Sequence, residues 1–314
     1  MDLVFFGSGA FGLPTLEALA GAHRVAGVVT QPDRPAGRGK SLAPTPIGTW
    51  AAAHLAGVPM WKPERVNAPD VLSEIRDISA DVWVVIAFGQ KLSAALLDGR
   101  FAINLHASLL PRWRGAAPIN AAILAGDERT GNSVITLAER MDAGLVLGQS
   151  TRPIEPEQTA GDLHDLLAAD GPALVMQVLD DKAAGKLDAR EQDESKVTIA
   201  PKLSAADRWV DFREPAPNCR RRIHGLTPWP GVSVQAGSAR LKLSRVEVVD
   251  VQAEPDQVGT LVDAAKGIVA CGGASGLRLI EVQPEGKRAM SWEDYARGHQ
   301  PAVGTKFDGG RAPC

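Results

Sequence analysis

The stretch Val4-Phe5-Phe6-Gly7-Ser8-Gly9-Ala10-Phe11-Gly12 reads VFFGSGAFG, and LPTLEALAGA follows it. Three consecutive apolar residues suit a short strand. Pro14 suits the first turn of a helix, and Leu16, Leu19 and Ala20 share one face of it. Strand, glycine turn and helix together open a doubly wound α/β sheet, and the G-x-G-x-x-G spacing is that of a dinucleotide-binding turn. Such a site also needs an acidic residue where the second strand ends. Here the second strand, RVAGVVT, runs into Gln31-Pro32, and Asp33 comes only inside a loop rich in Pro and Gly. The glycines are therefore read as a tight turn, and no NAD is expected.

The alternation continues downstream. TPIGTWAAAHLAG reads as a helix, and NAPDVLSEIRD as another with Asn67 as its N-cap. DVWVVIAFG and FAINLH are nearly unbroken apolar runs, as parallel strands require. A helix over GAAPINAAILAG and a strand over NSVITLAERM follow. Leu163, Leu166, Leu167, Leu174 and Val178 keep a helical period that Gly171-Pro172 is expected to break or kink. KLDAREQDESKVTIAPK loses all periodicity and reads as a linker. Beyond it, GVSVQAG, ARLKLSRVEVV, GTLVDA, KGIVACGG and GLRLIEVQPEG are short strands between turn residues, the pattern of a small barrel. The expected organisation is a Rossmann-like, mostly parallel sheet over 1–188, a linker over 189–203 and an all-β barrel over 204–314.

A chain of 314 residues, 45% hydrophobic with a net charge of −3, can bury a full core and does not advertise nucleic acid by global charge. Residues 201–314 are mildly basic and residues 1–200 acidic, which is compatible with a polyanion partner for the second domain. Cys219, Cys271 and Cys314 are too few and too scattered for a disulfide framework or a metal knuckle. No metal, no membrane span and no secretory leader are expected, and a cytoplasmic location fits.

The chemistry concentrates in Ile103-Asn104-Leu105-His106-Ala107-Ser108-Leu109-Leu110-Pro111-Arg112-Trp113-Arg114-Gly115. Strand alternation puts Asn104 and His106 on one side of a strand whose carboxyl end faces the ligand crevice of an open α/β sheet. Asn104 offers an amide donor for a developing oxyanion; His106 offers a proton acceptor or donor. Asp142, in Glu139-Arg140-Met141-Asp142-Ala143-Gly144, ends the next strand and is expected on the same rim. There it would orient the imidazole or relay a proton; an Asx-turn is the structural alternative. Trp113 is expected to pack against the sheet rim.

Asn-x-His-x-Ser-Leu-Leu-Pro, the following Arg-Trp-Arg-Gly-Ala-Ala-Pro-Ile and the later loop aspartate resemble the 10-formyltetrahydrofolate-dependent formyltransferases. The loop Thr30-Gln31-Pro32-Asp33-Arg34-Pro35-Ala36-Gly37-Arg38-Gly39-Lys40 narrows the resemblance to the branch acting on methionyl-tRNA. So do Pro228-Trp229-Pro230-Gly231 and Gln283-Pro284-Glu285-Gly286-Lys287-Arg288-Ala289-Met290. The resemblance spans essentially the whole chain. It implies an OB-like barrel as the second, tRNA-binding domain, and transfer of a formyl group from 10-formyltetrahydrofolate to the α-amine of methionyl initiator tRNA. It implies a catalytic trio of Asn104, His106 and Asp142. It implies a folate site lined by Phe88, Gly89, Ser108, Leu109, Leu110 and Pro111, and tRNA contacts from Arg34, Arg38 and Lys40. A monomer is expected.

The chain departs from the family pattern at Phe88, where relatives usually carry Tyr, at Leu145, and in the first glycine turn. Arg220, Arg221 and Arg222 are further tRNA candidates, of which at least one is expected to pack through its stem. A sugar-nucleotide formyltransferase on the same scaffold, an NAD-dependent oxidoreductase and a non-catalytic RNA-binding module remain open alternatives at this point.

Overall fold

The computed structural model describes residues 1–36 and 41–310. The chain packs into two compact units. One holds Met1–Arg114, Gly131–Arg152 and His164–Ile199; the other holds Gly115–Thr130, Pro153–Leu163 and the chain from Ala200 onward.

The first unit is built on β1 (Asp2–Gly7), β2 (Arg24–Val29), β3 (Arg34–Ala36), β4 (Ser41–Ala43), β5 (Met60–Trp61), β6 (Val82–Ile86) and β7 (Ala102–His106). After the two-residue β8 (Arg114–Gly115) come β9 (Arg129–Thr136) and β10 (Val146–Pro153). Its main sheet has the order β10-β9-β7-β6-β1-β2-β5, and β3 pairs with β4 in a separate hairpin. β1 pairs in parallel with β2 and β6, β6 with β7, and β2 with β5. The parallel strands read as continuous apolar runs because both faces are covered: Leu3, Val4, Phe5 and Phe6 are all fully buried, as are Val82, Trp83 and Val84.

Packing accounts for the opening glycines. A Cβ on Gly7 would stand 2.5 Å from the Phe5 ring and 3.0 Å from the Ile86 carbonyl oxygen, and one on Gly12 would stand 3.2 Å from the Ile86 side chain. These glycines let the turn and α1 (Leu13–Ala22) close down on β6. Their role here is steric.

Three local readings are corrected. Asn67 does not cap the helix after it. Ala68 precedes α3 (Pro69–Arg76), and the Asn67 amide instead donates to Lys91 O and accepts from Ser93 N, tying a loop 24 to 26 residues away. After α2 (Pro46–His54), α4 (Ala94–Leu97) and α5 (Pro118–Ala125), the long helix α6 (Ala160–Ala183) runs unbroken with Pro172 inside it. Gly171 serves close approach there: a Cβ would meet Leu105 Cδ2 at 2.8 Å and Thr15 Oγ1 at 2.9 Å. Finally, β9 is antiparallel to β7, so Thr136 at its end lies opposite Ile103, while His106 lies opposite Ser133. Asp142 does not lie at the end of a parallel neighbour.

Short β11 (Ile199–Ala200) stands where the chain passes from the first unit to the second. The second unit carries α7 (Ala216–Gly225), β12 (Val232–Ala236), β13 (Ala239–Asp250), β14 (Leu261–Asp263), β15 (Ile268–Cys271), β16 (Ser275–Pro284), β17 (Met290–Ser291), α8 (Trp292–His299) and β18 (Phe307–Asp308). The strand order is β14-β15-β16-β13-β12-β18, with neighbouring strands paired antiparallel throughout. Leu261 N donates to Thr305 O, Gly304 N to Leu261 O and Phe307 N to Gly259 O, so the two outer strands meet and the sheet curls into a barrel. Closure removes the free edges that an open sheet would expose. Val232, Leu241, Leu243, Leu277 and Val282 fill the interior.

Arg222 on α7 lies 3.3 Å from the Trp209 ring centroid and donates to Trp209 O and Asp207 O, so this member of the basic run is a packing residue. Cys219 and Cys271 are buried and reduced. Among the described residues, no helix is long and apolar enough to cross a membrane, and no group of three or more acidic, His or Cys side chains could hold a metal ion.

Candidate active site

β1, β6 and β7 lie side by side, and their carboxyl ends carry three short loops. The register sets Gly7 beside Ile86 and Val85 beside Asn104, so Ser8, Phe88 and His106 emerge from neighbouring strand ends. Ser8 Oγ donates to Phe88 O (3.1 Å) and accepts from Gln31 N (3.0 Å); Gln31 Nε2 donates to the same Phe88 carbonyl (3.1 Å). The serine of the opening turn thus pins the β6 loop. Phe88 turns its ring into the core, edge-on to Phe6 at 5.7 Å, and leaves its backbone at the rim. Ala87 (φ +48°) and Gly89 (φ +85°) both adopt the left-handed region around it.

His106 is 7% exposed. Its Nε2 lies 2.9 Å from Trp113 O. A carbonyl only accepts, so Nε2 carries a proton and donates it. Nδ1 then becomes the ring atom that gains or gives a proton, and it faces Asp142 Oδ2 at 3.6 Å. That separation is beyond a hydrogen bond and within ion-pair range. Asn104 is half-buried, two residues back on the same face of β7, and its side chain makes no hydrogen bond among the described residues. Its amide is available to a ligand.

Trp113 works through its backbone. Its N–H donates to Thr198 Oγ1 (2.9 Å), its carbonyl holds His106, and its φ is +61°. Arg112 stacks over the indole at 4.8 Å. Asp142 also has a left-handed backbone, φ +53°. Three of the five non-glycine residues with positive φ among the described residues, Ala87, Trp113 and Asp142, therefore cluster around His106. Such conformations cost about 1–3 kcal/mol each and persist where surrounding contacts hold them, typically at functional sites.

The other residues expected here divide by what they face. Ser108 is fully buried, and its hydroxyl donates to Arg112 O at 2.6 Å, which closes the 108–112 turn. Leu110 is buried with Ile135 and Val146, and its N–H donates to Ser133 Oγ. Leu109 and Pro111 are half-buried. Arg34 is exposed and paired with Glu64, itself exposed. Arg38 and Lys40 lie outside the described residues.

Sequence reasoning missed Ser8, Gln31, Thr198 and the Trp113 carbonyl. Ser8, Gln31 and Thr198 act through backbone partners 23 to 85 residues away, and the Trp113 carbonyl reaches the His106 ring only because the turn between them folds back; no local spacing signals either.

The chain matches the formyl transferase domain over residues 1–179 and the formyl transferase C-terminal domain over 202–300. It is 40% identical over 319 residues to the methionyl-tRNA formyltransferase of Symbiobacterium thermophilum, covering 100% of this chain and 97% of that one. The chain belongs to the methionyl-tRNA formyltransferase family. A second member, from Acidiphilium cryptum, is 43% identical over 311 residues, covering 98% of this chain and 100% of its own. Among solved structures, an N-formyltransferase from Helicobacter canadensis, solved with folinic acid and dTDP-3-aminofucose, superposes with a TM-score of 0.67 at 12% identity, over 90% of this chain and 98% of that one. At that identity the match shows the shared fold. The family's fold of a Rossmann-like unit followed by a curled antiparallel barrel is the one described above.

Proposed function

We propose that the chain transfers the formyl group of 10-formyltetrahydrofolate to the α-amine of methionyl initiator tRNA, for translation initiation. The observation that carries this is full-length identity of about two residues in five to members named for that reaction, with His106 held between Trp113 O and Asp142. An ordinary α-amine has a pKa of roughly 7.7–8.0, so a usable fraction is neutral near pH 7 and little base catalysis is needed for attack. The harder tasks are the tetrahedral oxyanion and the proton that N10 of the departing folate must gain.

Asn104 donates its amide to the oxyanion, and His106 serves as the acid/base beside it. The attacking amine sheds a proton as the C–N bond forms. His106 Nδ1 and Asp142 carry protons between that nitrogen and N10, and the products are a formamide and tetrahydrofolate. The backbone at Phe88 and Gly89 and the Ser108–Pro111 turn line the folate site. Arg34, Arg38 and Lys40 contact the phosphates or bases near the tRNA end, as a basic loop suits. A working monomer is the proposed state. Buried, reduced Cys219 and Cys271 suit a cytoplasmic location. The sugar-nucleotide alternative rests on neighbours such as the Helicobacter canadensis enzyme, whose 12% identity makes them distant.

The test is formylation of methionyl initiator tRNA with 10-formyltetrahydrofolate, run against an amino-sugar nucleotide as competing acceptor. Transfer to the tRNA is expected, with His106→Ala slower by ~10²–10⁴-fold, the usual loss for an acid–base group. Transfer to the sugar nucleotide alone would overturn the assignment.

A further inference from the structure

Asp142 sits in the loop between β9 and β10, residues 137–145, and must leave the end of β9 to reach His106. The base of this loop is closed: Thr136 N donates to Leu145 O, and Leu145 N donates to Thr136 Oγ1. A Cβ on Gly144 would stand 1.6 Å from Thr136 O, so only glycine fits that crossing. The tip is exposed at Ala138, Glu139, Arg140 and Met141. Closure at the base does not fix the aspartate at the far side.

That hold comes from the segment read as a linker. Arg190 exchanges both backbone hydrogen bonds with Val146, at 2.8 and 2.9 Å, which lays residues 190–192 along the start of β10. Two residues on, Gln192 Nε2 donates to Asp142 O (2.7 Å) and to Gly144 O (2.8 Å). Its Oε1 accepts from Arg114 Nε (3.0 Å) and Nη2 (2.8 Å). Arg114 is itself 5% exposed and bonded to Glu194, which also pairs with Arg140 of the loop tip. The Arg114 hydrogen bonds, with those of Arg140, hold the Glu194 carboxyl below its ordinary range, so this anchor stays charged.

The amide admits one orientation. Turned over, its NH₂ would face a guanidinium, donor against donor, and its oxygen would face two carbonyls. A glutamate in its place would keep the arginine and repel both loop carbonyls.

We infer that Gln192 is a positioning residue for catalysis: its amide, oriented by buried Arg114, clamps the backbone on both sides of Ala143 and sets Asp142 against His106. This inference rests on the reading of Asn104, His106 and Asp142 as the catalytic trio.

The experiment is steady-state formylation by wild type, Gln192→Glu, Gln192→Met, Asp142→Asn and the double variants, with each unfolding midpoint measured alongside. A misplacement of about 1 Å in a catalytic group costs up to ~10²-fold. Gln192→Glu is expected to lower kcat by roughly 10- to 100-fold with KM for folate and tRNA nearly unchanged. On the Asp142→Asn background it is expected to add almost nothing, because the group it positions is already disabled.

Gln192→Met removes the clamp without adding charge and gives the same reading if the glutamate variant does not fold. A kcat at the wild-type level, or a loss of equal size with and without Asp142, overturns the inference. Wild-type turnover in Asp142→Asn overturns the trio itself, and this inference with it.

Discussion

His106 and His224 are buried to nearly the same degree, 7% and 2% exposed, one in each unit. What differs is the second ring nitrogen. In His224, Nδ1 donates to Pro156 O (3.2 Å) and Nε2 accepts from Val246 N (3.1 Å), so the ring is neutral and both nitrogens are committed to backbone. Burial, aided by Arg220 on the same helix and Arg245 on β13, outweighs the Pro156 hydrogen bond and the Asp162 carboxylate and pushes its pKa down to about 4. In His106 one nitrogen is committed to Trp113 O and the other faces a carboxylate. Burial alone does not separate the two histidines; the proposed catalytic role of His106 rests on the nitrogen left to a partner that can exchange protons.

The largest effects should separate the two sites outright. Asn104→Ala and Asp142→Ala are each expected to cut formylation at least ~100-fold, the loss typical of an oxyanion donor or acid–base group, with unfolding midpoints close to wild type. His224→Gln should do the reverse, lowering the midpoint while leaving turnover within about threefold, since it strips a buried hydrogen bond internal to the second unit. If His224→Gln costs as much turnover as Asp142→Ala, the comparison is wrong.

Next comes pH. A histidine has a pKa of about 6.5 in an unfolded chain and His224 has one of about 4 when folded. Below pH 6.5 the unfolded state takes up a proton that the folded state refuses. The stability from neutral His224 is therefore complete above pH 6.5 and is lost as pH falls toward 4, on the order of 3 kcal/mol in total. Urea unfolding midpoints at pH 7 and 4.5 should show this slope in wild type and a flatter one in His224→Gln. Equal slopes would mean that other groups, the Asp162 carboxylate first among them, carry the pH dependence.

The smallest contrast is between committed and available cations. Arg222 is spent on Trp209 and Asp207, whereas exposed Arg34 is paired with exposed Glu64, a partnership worth little and easily exchanged for phosphate. Arg34→Ala should leave the unfolding midpoint essentially unmoved and reduce the salt dependence of tRNA binding by roughly one ion. An unchanged salt slope would remove Arg34 from the proposed interface.

How much was legible follows from how far each signal travels along the chain. Consecutive apolar runs at β1, β6 and β7 announced a sheet buried on both faces, and Asn104-x-His106 announced a polar pair on one side of its end, because strand alternation is a local rule. The partnership of Asp142 with His106 was also anticipated, but by a route that the sheet does not follow. β9 runs antiparallel, and the loop must return across the distance from Thr136 to reach His106. Strand direction depends on pairing between segments some thirty residues apart, and no periodicity encodes it. Asn67 follows the same rule: its amide bonds the distant backbone at Lys91 and Ser93 instead of capping the helix next to it.

Residues 190–198 mark the limit most clearly. Their sequence has no period, and as a sequence they read as a connection. In the fold, Gln192 bridges Arg114 and the Asp142 loop, and Thr198 holds Trp113, whose carbonyl sets the His106 ring. The sequence by itself determined the alternation of elements, the family and the three side chains proposed for the site, because apolar period and motif spacing are written in neighbouring residues. Only the tertiary structure decided which ring nitrogen of His106 is free to work, what its carboxylate partner is held by, and why the opening turn needs its glycines. Each of those depends on hydrogen bonds or close approaches that neighbouring residues do not spell out, fixed when the backbone folds around them.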